Sequence, residues 1–357
     1  MAYTTINKST DYFNTKLFVG NSSTNAITGV GHQPDWTWIK RRDGGNGYSN
    51  FLFDAVRGVN KGISSNQTAA EITFNNGFDS FNSDGFTLGA NTVNPSATEL
   101  NYSGGNYASW NWKANGAGSA NTDGGINSTV SVNNTTGFSI VKYGTGTGSA
   151  TTVGHGMNTT PNFIIIKPLG TVTTGGWIVG GDNIDSTWNN VLELNATAAK
   201  ASDPSFNNTA PTSSVFSVGN NNTNRSGENY IAYCFADVQG FSKFGSYTGN
   251  GNANGPLVYT GFKPAFVMTK TINAVDDWQM LDNKRNGFNP DLFQLVANSS
   301  NAEQTSGNRA DFLSNGFKIR TSGGSWNPSG GAILYMAFAE NPFVTSTGNG
   351  SIPACAG

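Results

Sequence analysis

Charge is scarce in this chain. Only 12% of its 357 residues are Asp, Glu, Lys or Arg, and the net charge is −2. The basic residues form no cluster beyond Lys40-Arg41-Arg42. A nucleic-acid binder needs a basic face to neutralise phosphates, so that class is set aside. Two histidines and two cysteines leave little for a zinc centre or a disulfide framework. Cys234 and Cys355 read as free thiols, because large domains do not need staples. No apolar run approaches the roughly 20 residues of a membrane span, which speaks against membrane insertion. The N-terminus, Met1-Ala2-Tyr3-Thr4-Thr5-Ile6-Asn7-Lys8, lacks the apolar stretch of a signal peptide. Phosphate loops, nucleophile elbows and zinc spacings are missing too. The expectation is a protein with no cofactor, no bound metal and no catalytic residue.

Aromatic residues and glycine are plentiful: 12% of the chain is Phe, Trp or Tyr, and Gly numbers 46. Weakly charged disordered chains lack aromatics, so this chain has the material for sizeable cores. Its polar surface must be carried by Asn, Ser and Thr rather than by ions.

The aromatic residues fall in a pattern that occurs three times. Pro34-Asp35-Trp36-Thr37-Trp38-Ile39-Lys40, Pro161-Asn162-Phe163-Ile164-Ile165-Ile166-Lys167 and Pro264-Ala265-Phe266-Val267-Met268-Thr269-Lys270 share one grammar. An aromatic stretch precedes each (12–19, 138–143, 241–247), followed by a Gly-rich turn. Each copy closes on a dense run ending at Trp112, Phe235 or Phe338, which lie 78, 74 and 74 residues beyond the Pro. Repetition at such spacing is settled before any motif is read.

Within these segments the period is two: Trp36 and Trp38 alternate with Asp35 and Thr37, Trp110 and Trp112 with Ser109 and Asn111. That is the alternation of a strand. Short strands between Gly, Asn and Ser turns predict an all-β protein of three tandem antiparallel β-sandwiches. Residues 60–72 and 192–201 are the best candidates for short loop helices. The expected layout is an arm (1–11), a first repeat (12–115), a Gly/Ser/Asn-rich linker (116–136) with one strand near 126–132, a second repeat (137–239), a third (240–343) and a tail (344–357). The second-to-third junction is so short that those two modules are expected to stack with little hinge freedom.

Few residues invite chemistry. His32 and His155 stand at equivalent places before the Pro strand, and the third copy has none; a ring bonded to a nearby carbonyl is the expected role. Asp54 with Arg57, and Asp282 with Arg285, occupy matching positions and read as structural pairs, not as the two carboxylates of a glycosidase. The aromatic residues of the repeated strands read as core. Trp326, Trp188 and Tyr48 lie outside the pattern among Gly, Asn and Ser. An exposed ring flanked by amides and hydroxyls is a sugar platform, so these three are the candidate ligand-binding residues.

The aligned copies resemble a repeat module found in predicted tail-fibre and adhesin-like proteins of marine phages. The resemblance rests on Ile27 to Lys40, Phe51 to Gly58, Ser83 to Gly89, Val153-Gly154-His155-Gly156, Phe241 to Gly251 and Asp311 to Arg320. It implies a virion-associated sandwich of concanavalin-like or jelly-roll type, with no catalytic residues to carry over. A tail fibre or receptor-binding protein attaching the particle to host surface polysaccharide is the function expected from it. A capsid or tail decoration protein is the alternative, and a glycan depolymerase the third reading. Such modules hang from an anchoring part, so the arm or a separate virion adaptor protein is expected to supply it. A homo-oligomer is expected, a trimer first by analogy with fibres.

Overall fold

Strands built from alternating aromatic and small residues pair into six sheets, all but one isolated bridge of them antiparallel. The computed structural model describes residues 4–342 apart from 46, 91–96, 145, 171–174 and 220. One five-strand order occurs in three stretches of chain. In the first, an opening strand (Phe13–Val19) lies beside the closing strand (Asn106–Trp112), which is followed by the proline strand (Trp36–Arg41), Asn50–Asp54 and Lys61–Ser64. The second stretch has the order Phe138–Tyr143, Tyr230–Phe235, Phe163–Pro168, Ile178–Gly181, Asn190–Glu193. The third has Ser242–Thr248, Ala332–Asn341, Lys263–Thr271, Gln279–Asp282, Leu295–Val296. Register agrees as well, since Trp36 faces Trp112, Phe163 faces Phe235 and Phe266 faces Phe338. A smaller sheet, such as Asn25–Thr28 with Gly85–Leu88 and Phe78–Asn82, covers one face of each large sheet to make a sandwich.

The other face of each large sheet is buried too, against the other two units. Trp36, Trp38, Trp110 and Trp112 meet Phe163, Ile165, Tyr233 and Phe235, and Phe266, Met268, Met336 and Phe338, in one common core. Trp36 stacks on Tyr233 at 4.4 Å, Phe163 on Phe244 at 5.5 Å and Phe13 on Phe338 at 5.0 Å, so every pair of units is in aromatic contact. The first two proline strands are buried along their whole length for this reason, and the third at every position after Lys263. Their alternation separates two cores rather than core from water: Ile164 and Ile166 turn into the second sandwich, Phe163 and Ile165 into the common core.

Hydrogen bonds close the arrangement as a ring. Residues paired at equivalent register positions make equivalent bonds across each junction. Trp177 donates its indole N–H to Ser64 O (2.8 Å), Trp278 to Glu193 O (2.9 Å), and Asn50 its amide to Val296 O (3.3 Å). In the opposite sense, Glu71 N donates to Leu169 O (3.0 Å), Lys200 N to Ile272 O (2.8 Å) and Glu303 N to Arg42 O (2.9 Å). Each unit therefore gives to and takes from both neighbours. Such head-to-tail contacts close only when the rotation completes a circle, and here three units of one chain complete it.

Three expectations about chain segments need correction. Residues 116–136 are no linker, because Ser119–Asn121 and Ser128–Asn133 add two strands to the second sheet's edge, with Val130 buried. The expected loop helices are instead strands: Lys61–Ser64 pairs with Asn50–Asp54, and Asn190–Glu193 with Ile178–Gly181. Tertiary pairing overrides weak local helical periodicity there. The tail, 344–357 with Cys355, lies outside the described residues.

The lysine ending each repeated motif is fully buried. Lys40 donates to Tyr48 O and Ser300 O, Lys167 to Thr68 O and Gly175 O, and Lys270 to Thr271 O and Ala274 O. Two of them thus reach into a neighbouring unit. Burial pulls all three from 10.5 down to about 8; Glu99, Glu228 and the Asp276/Asp277 pair oppose it only partly. The unfolded chain therefore holds more protons than the folded one between about pH 8 and 10.5, and stability must rise with pH across that interval. Buried tyrosines such as Tyr143 and Tyr233, pushed above their ordinary value of 10.0, turn the trend over only above it. The urea midpoint is expected to climb from about pH 8 to 9.5, and a flat or falling midpoint there would contradict this account of the lysines.

Candidate functional site

The recurring Asp–Arg pairs sit where the units meet. Asp54 takes Arg57 Nε at 2.5 Å and the Tyr233 hydroxyl of the second unit at 2.8 Å. Asp282 takes Arg285 Nε at 2.5 Å and the Trp110 indole N–H of the first unit at 3.0 Å. Each guanidinium also donates to a strand carbonyl, Leu52 O or Met280 O, and to a second carboxylate, Glu71 or Glu303. Each carboxylate thus binds its own unit's guanidinium and backbone and a donor from the neighbouring unit. The second unit has Gly181 at the same register position, Ile184 in place of the Arg, and Met336 facing them in place of Tyr or Trp. Donor, acceptor and counter-ion are all apolar at that junction, which leaves no buried charge unpaired.

Both histidines are buried and serve their own loops. His32 Nδ1 lies 2.9 Å from Thr10 O, and burial lowers its pKa to about 4. His155 sits between Thr212 O, 3.2 Å from Nε2, and the Met157 N–H, which donates to Nδ1 at 3.1 Å; burial lowers its pKa as well. Among the described residues no group of three or more His, Cys, Asp or Glu side chains is arranged to hold a metal ion. Cys234 is buried in the closing strand.

Two of the three aromatic candidates are not platforms. Trp188 is 0% exposed, packs edge-on against Phe206 and donates to Asp182 Oδ1 at 2.9 Å. Trp326 is 2% exposed and donates to Gln294 Oε1 at 2.8 Å. Both fill the ends of their own sandwiches, and their indole N–H groups find internal acceptors. A loop position therefore does not leave a ring uncovered.

Tyr48 has a different setting. It is half-buried, with the Arg41 guanidinium 4.2 Å from its ring centre; the same guanidinium lies 4.7 Å from the ring of Tyr102. Tyr102, which sequence reasoning missed because it lies just before the dense closing run, is 46% exposed. Arg41 also holds Asp43 at 2.9 Å, while Asn106 donates to Asp43 from its backbone at 2.9 Å and from its amide at 2.6 Å. Burial raises the Asp43 pKa, but these bonds outweigh it and keep the carboxylate below its ordinary value. Beside this cluster a cleft of about 410 Å³ opens between the first and third units, lined by Arg42, Asp43, Asn106, Phe293, Glu303 and Thr305. Arg42 and Glu303 face each other across it in a two-pronged pair (3.0 and 2.8 Å). The volume is in the range of small-molecule sites. Its charges cancel in pairs, so the cleft offers hydrogen bonds and an aromatic wall without a strong field of either sign.

An all-β protein of sandwich type, with a common core, is the class that fold and site define. The chain belongs to a family described as a domain of unknown function, DUF7483, whose model matches residues 8–342. The match takes in all three units as one domain. Neither a curated protein nor a solved structure matches the chain significantly. No helix among the described residues is long and apolar enough to cross a membrane.

The buried pairs give a stability prediction. Asp282→Ala strands Arg285 and the Trp110 N–H and is expected to cost about 3 kcal/mol. The double change Asp282→Gly with Arg285→Ile, which copies the second unit at those two positions and leaves only the Trp110 N–H unmet, is expected to cost less than the single change. Urea midpoints of the two variants decide it: equal losses would mean that the ion pair, rather than its unpaired remnant, matters.

Proposed function

We propose that this chain is a virion structural protein, a tail fibre or receptor-binding protein, that attaches a phage particle to a cell-surface glycan. The observation that carries this reading is the cleft between the first and third units, whose lining residue Asp43 is paired with Arg41, itself in contact with the rings of Tyr48 and Tyr102. Aromatic faces meet the apolar C–H faces of sugars, and Asp43, Asn106, Thr305 and Glu303 supply acceptors and donors for hydroxyls. The scarcity of charge supports a neutral ligand over a phosphorylated or sulfated one. The likeness of the repeated motifs to phage adhesin-like modules supports the virion setting. A closed core supports the role physically, because it fixes the cleft on units that cannot swing apart.

Attachment by such a site is multivalent. A single shallow cleft binds weakly, and several copies on one particle multiply it. Copies assembled as a homo-oligomer, a trimer in the simplest case, on a virion adaptor protein would present the clefts together.

Binding of the purified chain to a glycan array, at low and high salt, tests the reading. The expected result is retention of neutral glycans with little salt dependence, weakened about three- to tenfold by Tyr102→Ala. Particles carrying that variant should adsorb poorly to host cells. Unimpaired adsorption by particles that fall apart would point to a decoration protein instead, and release of reducing ends from host polysaccharide to a depolymerase.

A further inference from the structure

The loop after the strand Gln279–Asp282 is longer in the third unit than its counterparts in the other two. Five residues separate Arg57 from Ile63 and seven separate Ile184 from Leu192, whereas nine separate Arg285 from Leu295. These positions are equivalent by strand register, since Leu52 faces Ile63, Val179 faces Leu192 and Met280 faces Leu295. What the scaffold requires is present in all three units, so the added length serves something else.

The longer loop is held firmly. Asn289 donates its amide to Phe312 O at 2.9 Å and accepts from Phe312 N at 2.8 Å. Asp291 N donates to Ala310 O at 2.7 Å, and Arg309 N to Asp291 O at 3.0 Å. Between the loop and the proline strand lies a cleft of about 70 Å³, lined by Lys263, Asn283, Phe288, Asn289, Asp291 and Phe312. That is room for a few water-sized groups, the polar edge of one sugar ring rather than an oligosaccharide. Phe288 stands at it 70% exposed.

The cleft also has unmet acceptors. Asp291 is 3% exposed; its Oδ1 accepts from Phe293 N at 3.1 Å, while its Oδ2 has no donor among the described residues. Asn283 Oδ1, likewise buried, has none either. A buried acceptor without a donor is unfavourable, and here two such residues line one cleft. The first unit has Ala55 at this position and the second has Asp182, whose Oδ1 is satisfied by the Trp188 indole at 2.9 Å; only in the third unit does the side chain here keep an unmet oxygen on a cleft. Burial holds Asp291 up at about 7, against the pull of Arg285 and with Asp282 and Glu303 nearby.

We infer that this cleft is a second, separate sugar site, which takes the hydroxyl edge of a single neutral monosaccharide unit. On binding, the Asp291 and Asn283 side chains turn their unmet oxygens into the cleft to accept from two hydroxyls, and the ring's apolar face lies on Phe288. Lys263, on the wall and paired with Glu340 at 2.6 Å, is placed to donate to a further oxygen. The inference rests on the proposed glycan binding only for the class of ligand, and it uses none of the residues of the cleft between the first and third units.

Saturation-transfer NMR on the whole chain tests it, with methyl glucoside, methyl galactoside and methyl mannoside as probes. At least one is expected to bind. In the Tyr102→Ala background, which weakens the first cleft, Phe288→Ala and Asn283→Ala should each weaken the remaining binding about three- to tenfold, and that binding should strengthen as pH rises through 7. Phe288 is exposed, so that variant's unchanged urea midpoint guards against misfolding. No binding by any probe, or binding that Phe288→Ala and Asn283→Ala leave intact, overturns the second site. Loss on Tyr102→Ala alone overturns it too, while leaving the first cleft standing. Failure of both the array and the NMR experiment would take the glycan reading with it.

Discussion

Everything in this molecule depends on burying both faces of each large sheet. A sheet with one covered face can stand alone in water; a sheet carrying Trp36, Trp38, Trp110 and Trp112 on the face away from its own sandwich cannot. Those rings bury large apolar areas only when the second and third units supply Tyr233, Phe235, Phe266 and Phe338. The three sandwiches are therefore layers around one core rather than beads on a string. The closing hydrogen bonds follow from that packing, because an indole or amide at the sheet's inner end meets the neighbour's strand carbonyl in the same way at each junction.

The ring is repeated but not uniform, and the differences are physically consistent. Where a unit keeps a buried Asp and Arg, the neighbour keeps a hydroxyl or indole donor; where Gly181 and Ile184 replace them, Met336 replaces the donor. A half-kept network would be worse than either solution. The junction of the third unit with the first is also the one that no direct chain connection bridges. There Arg42 and Glu303 form an ion pair, at a place where the second and third units have Leu169 and Ile272.

Much of the fold was legible in the sequence, and the reasons are local. Period-two aromatic runs and Gly/Asn turns gave the all-β class. The run Phe163-Ile164-Ile165-Ile166, apolar at every position, lies in a strand covered on both faces, which the period-two reading does not bring out. What covers the second face was not legible, because the partners lie in other repeats and no spacing records them. Loop residues were the least readable. Trp188 and Trp326 stand among Asn and Ser as an exposed ring would, yet each is folded under and satisfied by Asp182 or Gln294. Tyr102, which is open to solvent, looked no different from its buried neighbours. In the candidate cleft, Glu303 and Arg42 are 261 residues apart in sequence, a distance at which single-sequence reasoning has nothing to say.

Native-state hydrogen exchange measures the shared core most directly. The account predicts that amides of the three closing strands, Asn106–Trp112, Tyr230–Phe235 and Ala332–Asn341, exchange through one global opening with the same free energy and the same denaturant dependence. If one unit's closing strand opened at a lower free energy than the others, the units would be separable domains, and the claim of a common core would fail.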